Sequence, residues 1–286
     1  MPAHKLCIAI TSLVLCGLFV IVESGVAQSQ SSTIQLAPAT LVKDVIYNEM
    51  HPSAPATAHW KYRLDKVLGT REETRTVVET QAGSLDRLLA VAGRPLTEAE
   101  EAEEAKRILR FSQSPEEQRK AEQARQKDTD QCNAILKMIP EAFIFQQTGQ
   151  SGDAIRLNFT PNPQFHPPSR EGKVLQHMTG EMWVDASQKR LIAIDGRLTS
   201  EVKFGGGLLG HLEKGGEFVV KRAQLAPNDW EVTELTVNMQ GKILLLKNIS
   251  VQQKELHSNF ERVPNDLTIA DAAGLLLKQT LVASKR

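Results

Sequence analysis

The chain has 286 residues, 41% of them hydrophobic, and its 34 basic and 34 acidic side chains cancel to a formal charge of zero. That neutrality excludes an ordinary nucleic-acid binder, which needs a basic surface to displace counterions. Three cysteines in this length exclude a disulfide-stapled scaffold and leave stability to the core of one large domain or two small ones.

Residues 1–27 read as a cleavable signal peptide. His4 and Lys5 open it, the run LCIAITSLVLCGLFVIV over 6–22 carries no charge, and Gly25-Val26-Ala27 supplies small residues before QSQSS. A spanning helix needs about 20 apolar residues; this run stops at Glu23, so cleavage is expected over a retained anchor. Leu15 before Cys16 argues against lipidation of that cysteine. Cleavage takes Lys5, Glu23, Cys7 and Cys16 with it, leaving 259 residues, 33 charges of each sign and Cys132. No later stretch approaches a membrane-spanning length, so an exported protein, periplasmic or extracellular, with no membrane span is expected.

Residues 28–38 read as a flexible polar linker and 39–286 as a single domain. Leu41, Val42, Val45, Ile46 and Met50 fall on one side of a helix over 40–50, ended by Pro52 and Pro55. From His59 the period becomes two, with Trp60, Tyr62 and Leu64 alternating with Lys61, Arg63 and Asp65 as in a half-buried strand. Strands over 74–80 and 86–92 follow around Gln81-Ala82-Gly83, as in an antiparallel meander. Thr97 with Glu100 and Ser114 with Glu117 fit capping boxes, and Pro115 takes the favoured first helical position. Residues 97–139 therefore read as a helical insertion, stopped by Pro140, whose polar first half and apolar last turns suit a lid.

Strand patterns then occupy 142–147, 154–160, 175–185, 190–203, 217–222, 230–239 and 242–255, with turns such as Pro227-Asn228-Asp229 and Gln240-Gly241. Connections this short require antiparallel neighbours. A last helix over 268–282 packs through Ile269, Ala273, Leu276 and Leu277. The sum is an α+β protein built on one large antiparallel sheet.

The catalytic motifs dissolve on inspection. The glycine-rich stretch from Phe204 to Gly216 lacks the Lys-Ser/Thr close and the following helix of a phosphate loop, and reads as a wide strand connection offering Leu208, Leu209 and Leu212. Ser200-Glu-Val-Lys203 matches Ser-x-x-Lys, but lies in a strand pattern and lacks the Ser-Asp-Asn and Lys-Thr-Gly partners. Histidines 51, 59, 166, 177, 211 and 257 show no zinc spacing, and Cys132 sits on the apolar end of its helix. No catalytic residue, metal ligand or cofactor is expected. The segment PNPQFHPP over 161–168 reads as a stiff linker, with Phe165 and His166 at a rim.

Taken together, the signal peptide, N-terminal helix, Trp/Tyr-bearing strand, interrupted sheet and segment GEMWVDASQKRLIAIDGRL over 180–198 resemble the bacterial outer-membrane lipoprotein-sorting (LolA-like and LolB-like) superfamily. The stretch from Phe159 to Gly216 is similar to an uncharacterised secreted branch of it. The resemblance implies a curved, open half-barrel that holds lipid or lipoprotein acyl chains under helical lids without catalysis. Its apolar cavity would be lined by Trp60, Tyr62, Trp183, Leu208, Leu209, Phe218 and Trp230. The alternative is an interaction or sensor module that binds other envelope proteins through its sheet edge or insertion; a hydrolase assembled across strands ranks third.

Overall fold

The computed structural model describes residues 37–51, 58–207, 209–243 and 247–283; the signal peptide and the linker up to residue 36 lie outside them. In chain order the elements are α1 (Pro38–Met50), β1 (His59–Leu68), β2 (Arg71–Thr80), β3 (Gly83–Val91), β4 (Arg94–Pro95), α2 (Glu98–Gln113) and α3 (Pro115–Ala142). Then come β5 (Phe143–Ser151), β6 (Ala154–Pro161), α4 (Arg170–Leu175), β7 (Met178–Asp185), β8 (Arg190–Leu198), β9 (Val202–Phe204) and β10 (Gly210–Leu212). The chain closes with β11 (Glu217–Ala226), β12 (Asp229–Ile243), β13 (Lys247–Val263) and α5 (Ile269–Ala283). The strands form one 13-stranded sheet in the order β4-β3-β2-β1-β13-β12-β11-β8-β7-β6-β5, with β10 paired to β12 and β9 to β10. Every pairing is antiparallel. The two end strands, β4 and β5, do not meet, so the sheet is an open half-barrel and the fold is α+β.

Register defines the two faces, because successive side chains point to opposite sides. One row crosses the sheet through Phe145, Phe159, Gly180, Gly196, Phe218, Val237 and Gln253. On this inner face α1, the last turns of α3, and α4 bury Val42, Val45, Cys132, Leu136 and Val174 against Leu157, Phe159 and Met182. At the other end of the sheet helices lie on the opposite, outer face. Val78 and Leu85 pack there with Ile108 of α2 and Ile269, Ala272 and Leu276 of α5, while the adjacent Val77 joins Trp60 and Tyr62 on the inner side. The insertion is therefore not a detachable excursion, since α2 and α3 contribute to two different cores.

Curvature comes from a split in the ladder. The β12–β13 pairing runs only from Ile243–Lys247 to Glu234–Leu256, and beyond it β13 pairs with β1 alone. A bulge in β13, where Asn259 takes a left-handed φ of 55°, deepens the bend. The sheet then curls until the Trp60 indole N–H on β1 reaches the Asp229 carboxylate at the head of β12, 3.0 Å away.

Five expectations shift. Helix α3 runs through Pro140 to Ala142, because a proline in the last turn removes only one bond and Asn162 donates its backbone and side-chain N–H groups to the Ala142 and Glu141 carbonyls. Gln240-Gly241 is not a turn: β12 continues through it, and Gly241 is bare because a Cβ would meet the His211 carbonyl of β10. Residues 170–175 form α4, capped by Ser169, and only from Met178 is the chain extended. Helix α1 starts at Pro38, the last residue of the expected linker. The glycine-rich stretch is a connection only in part: Gly205, Gly206 and Gly207 turn the chain at positive φ, but Gly210–Leu212 form β10, which pairs with β9 and β12.

Gly180 faces Gly196 so that the rings of Phe159 and Phe218 can lie across β7 and β8; a Cβ at Gly180 would strike the Asp195 carbonyl and come 2.7 Å from the Phe159 ring. Gly180→Ala should therefore destabilise the protein by about 1–3 kcal/mol. Gly274→Ala, in helix α5 with nothing within 4 Å, should stabilise it by about 0.5–1 kcal/mol. Urea denaturation of the two variants checks the contrast.

Candidate functional site on the inner face of the sheet

The expected lining residues divide between places. Trp60 and Tyr62 come together in a cluster with Ala58 and Val77, against which Leu64, Leu225, Ala226 and Phe260 pack. Tyr62 stacks on Phe260 at 5.3 Å and on His257 at 5.1 Å. Trp230 is buried, its indole N–H donating to the Gln188 amide oxygen at 3.0 Å. Phe218 packs against the main core. Trp183 alternates with the buried Met182 and Val184 and so faces outward, where its indole N–H donates to Glu181 and the Arg156 guanidinium lies 5.7 Å from its ring. Leu209 is exposed on the glycine-rich connection, and Leu208 lies outside the described residues. Phe165 belongs to the main core rather than to a rim, while His166 beside it is exposed.

Beside the aromatic cluster β13 carries a buried polar row that the sequence pattern hides. Gln253, Glu255 and His257 are 3–9% exposed, whereas Leu256 between them is 39% exposed. Apolar patterning would turn this strand the other way. Register prevents that, because Gln253 and Glu255 stand opposite Val237 and Leu235, whose side chains must face inward. Glu255 accepts from the Gln253 amide at 2.9 Å and pairs with Lys66 at 2.8 Å, with the His257 ring nitrogen at 3.4 Å. Burial pushes the Glu255 carboxyl up, but His257 and Lys66 outweigh it and bring it down to about 2. The other ring nitrogen of His257, Nδ1, is buried and meets no hydrogen-bond partner among the described residues.

A third element fixes α1 over the sheet. Glu49, 1% exposed, accepts from Arg190 Nε at 2.9 Å and Nη2 at 3.1 Å, from Arg222 Nη1 at 2.7 Å and from the Leu191 backbone N–H at 3.0 Å. Burial would raise this carboxyl, yet Arg222 and Arg190 hold it below the ordinary carboxylate value. At the far end Glu73 pairs with Arg71 and Arg75, Arg75 with Asp86, and Arg107 of α2 with Glu104, so charges there also stand in pairs.

Elsewhere, the Ser200 hydroxyl and His177 Nδ1 lie 2.7 Å apart at the end of the β7–β8 pair, with Thr199 bonded to the His177 carbonyl. Ser-x-x-Lys does not assemble with it, since Lys203 pairs with Glu201 instead. Among the described residues no group of three or more His, Cys, Asp or Glu is placed to hold a metal ion, and no helix is long and apolar enough to cross a membrane. The chain matches no protein-family model, no curated protein and no solved structure.

Removing one member of a buried ion cluster strands its partners. Glu49→Gln should therefore cost about 3–5 kcal/mol. Because both Glu49 and Glu255 titrate below their ordinary value of 4.5, their contribution is full above that pH and is lost as pH falls through the folded values. Stability measured by urea titration should be flat above about pH 5 and fall on acidification. Glu255→Gln should flatten the part of that fall between about 4.5 and about 2.

Proposed function

We propose that the chain is a non-catalytic periplasmic carrier or binding protein for lipid or lipoprotein acyl chains, held against the inner face of its open sheet. The observation that supports this best is the division of that face. Helices α1, α3 and α4 fill the half over β5 to β8, whereas Trp60, Tyr62 and Phe260 belong to a separate, smaller apolar cluster where β12 and β13 part. An acyl chain needs an apolar surface and no reactive group, and this cluster would supply one where its packing opens. Each buried methylene is worth about 0.8 kcal/mol, so a 16-carbon chain offers roughly 12 kcal/mol before ordering costs. The likeness to lipoprotein-sorting proteins in the export signal and strand-and-turn segments adds to the same reading.

The helix-covered half is closely packed, so a whole chain enters only if the helical layer yields. The layer is tied by apolar contact over most of its length, by Asp44 and Asn48 to Lys189, and by Glu49 at one end of α1. The lid is then α1 with the last turns of α3, rather than the whole of 97–139, whose deletion would strip both cores.

The protein without residues 1–27, purified from its native envelope without detergent, should yield about one lipid per chain in organic extracts analysed by mass spectrometry. It should also take up added fatty acid, and Tyr62→Ala should weaken uptake at least several-fold. An empty extract together with no uptake of fatty acid or lipopeptide would overturn the proposal.

A further inference from the structure

The two ends of the sheet are finished differently. At one end β4 has two residues, one of them Pro95, and the neighbouring β3 is served by helix α2. There the Glu104 carboxylate accepts from the Leu88 backbone N–H at 2.7 Å and Arg107 donates to the Asp86 carbonyl at 2.6 Å. Prolines, charges and covering helices are the usual means of keeping an edge from pairing with another chain. At the other end β5 has nine residues, FIFQQTGQS, without a charge or a proline, and it pairs only with β6 among the described residues. Its inner side packs through Phe143 and Phe145, while Ile144 on the other side is 53% exposed and Gln146 is exposed beside it. One protective device is present, a bulge between Gln147 and Gly149, which confines the regular ladder to residues 143–147.

We propose that this edge is a self-association surface, occupied by β5 of a second copy of the chain in antiparallel register about Phe145. That register sets Ile144 against Gln146, Phe143 against Gln147 and Phe145 against its own counterpart. No pair brings like charges together, so nothing in the composition of this strand opposes pairing with its own copy, and Phe145 meets an aromatic partner at the centre. The contact is isologous, closes after two copies, and runs the two half-barrels into one sheet. It stands independently of the acyl-chain reading. Five paired residues make a small interface, so the dimer is concentration-dependent.

The test is sedimentation of the protein without residues 1–27 over a concentration series, with amide hydrogen exchange across β5. The native sequence should pass from monomer to dimer as concentration rises, with slowed exchange in residues 143–147. Ile144→Lys, at an exposed position that leaves the core intact, should weaken the dimer at least tenfold. Adding Gln146→Glu sets a carboxylate opposite each new ammonium across the interface and should recover most of the loss; adding Gln146→Lys should abolish the dimer. A monomer at every concentration overturns the proposal, and slow β5 exchange in it would mean that a segment of the same chain occupies the edge. A dimer indifferent to Ile144→Lys, or one that Gln146→Glu fails to restore, overturns this surface or this register.

Discussion

Glu49 is a single carboxylate at 1% exposure with two guanidiniums and a backbone N–H converging on it. An unpaired buried charge costs several kcal/mol, and hydrophobic contact alone does not fix direction. The cluster supplies that direction. Arg190 belongs to β8 and Arg222 to β11, and Arg222 donates onward to the Trp230 carbonyl of β12 at 2.7 Å. One acid on the first helix thus ties together strands that are far from it in sequence. The cluster carries one surplus positive charge, which the carbonyls of Leu191 and Trp230 help to solvate.

Given α1 held in that position, the rest of the inner face follows. Its apolar stripe meets the end of α3 and covers the half of the sheet where β7 and β8 are opened by facing glycines. Beyond β12 the ladder splits, the covering helices change faces, and the inner side is finished by aromatic rings and paired charges. A ligand that displaced the covering layer near β5 would leave the Glu49 cluster intact. One that lifted the C-terminal end of α1 would have to break it. Lifting that end therefore costs the ion cluster as well as apolar contact.

The alternation of Trp60, Tyr62 and Leu64, the capping residue Thr97 and the apolar last turns around Cys132 and Ile139 made the elements legible, because each is a local signal. The order of the strands follows largely from short connections, which force antiparallel neighbours. What escaped is non-local. Gly241 looks like a turn until β10 lies across it, and Glu255 and His257 look exposed until the register with Leu235 and Val237 turns them inward. Glu49 belongs to the same class: one acid on an apolar helix stripe is a visible oddity, but its partners stand 141 and 173 residues away. The placement of the aromatic side chains was half legible for a related reason. Burial of Trp60 is written in strand alternation, whereas which face Trp183 takes depends on which neighbours the sheet assembles around Met182.

The even balance of 34 basic and 34 acidic side chains has a structural counterpart. Many of these charges stand in pairs that close a helix, an edge or a strand register: Glu49 under α1, Glu104 and Arg107 along β3, and Glu255 with Lys66 on β13. Each pair serves a place where hydrophobic burial would be satisfied by more than one arrangement. The strand that lacks such a device is β5, and it is one of the strands whose outer edge pairs with no other strand among the described residues. Charge elsewhere in this fold selects one alignment among several; its absence there leaves the ladder able to continue into a further strand.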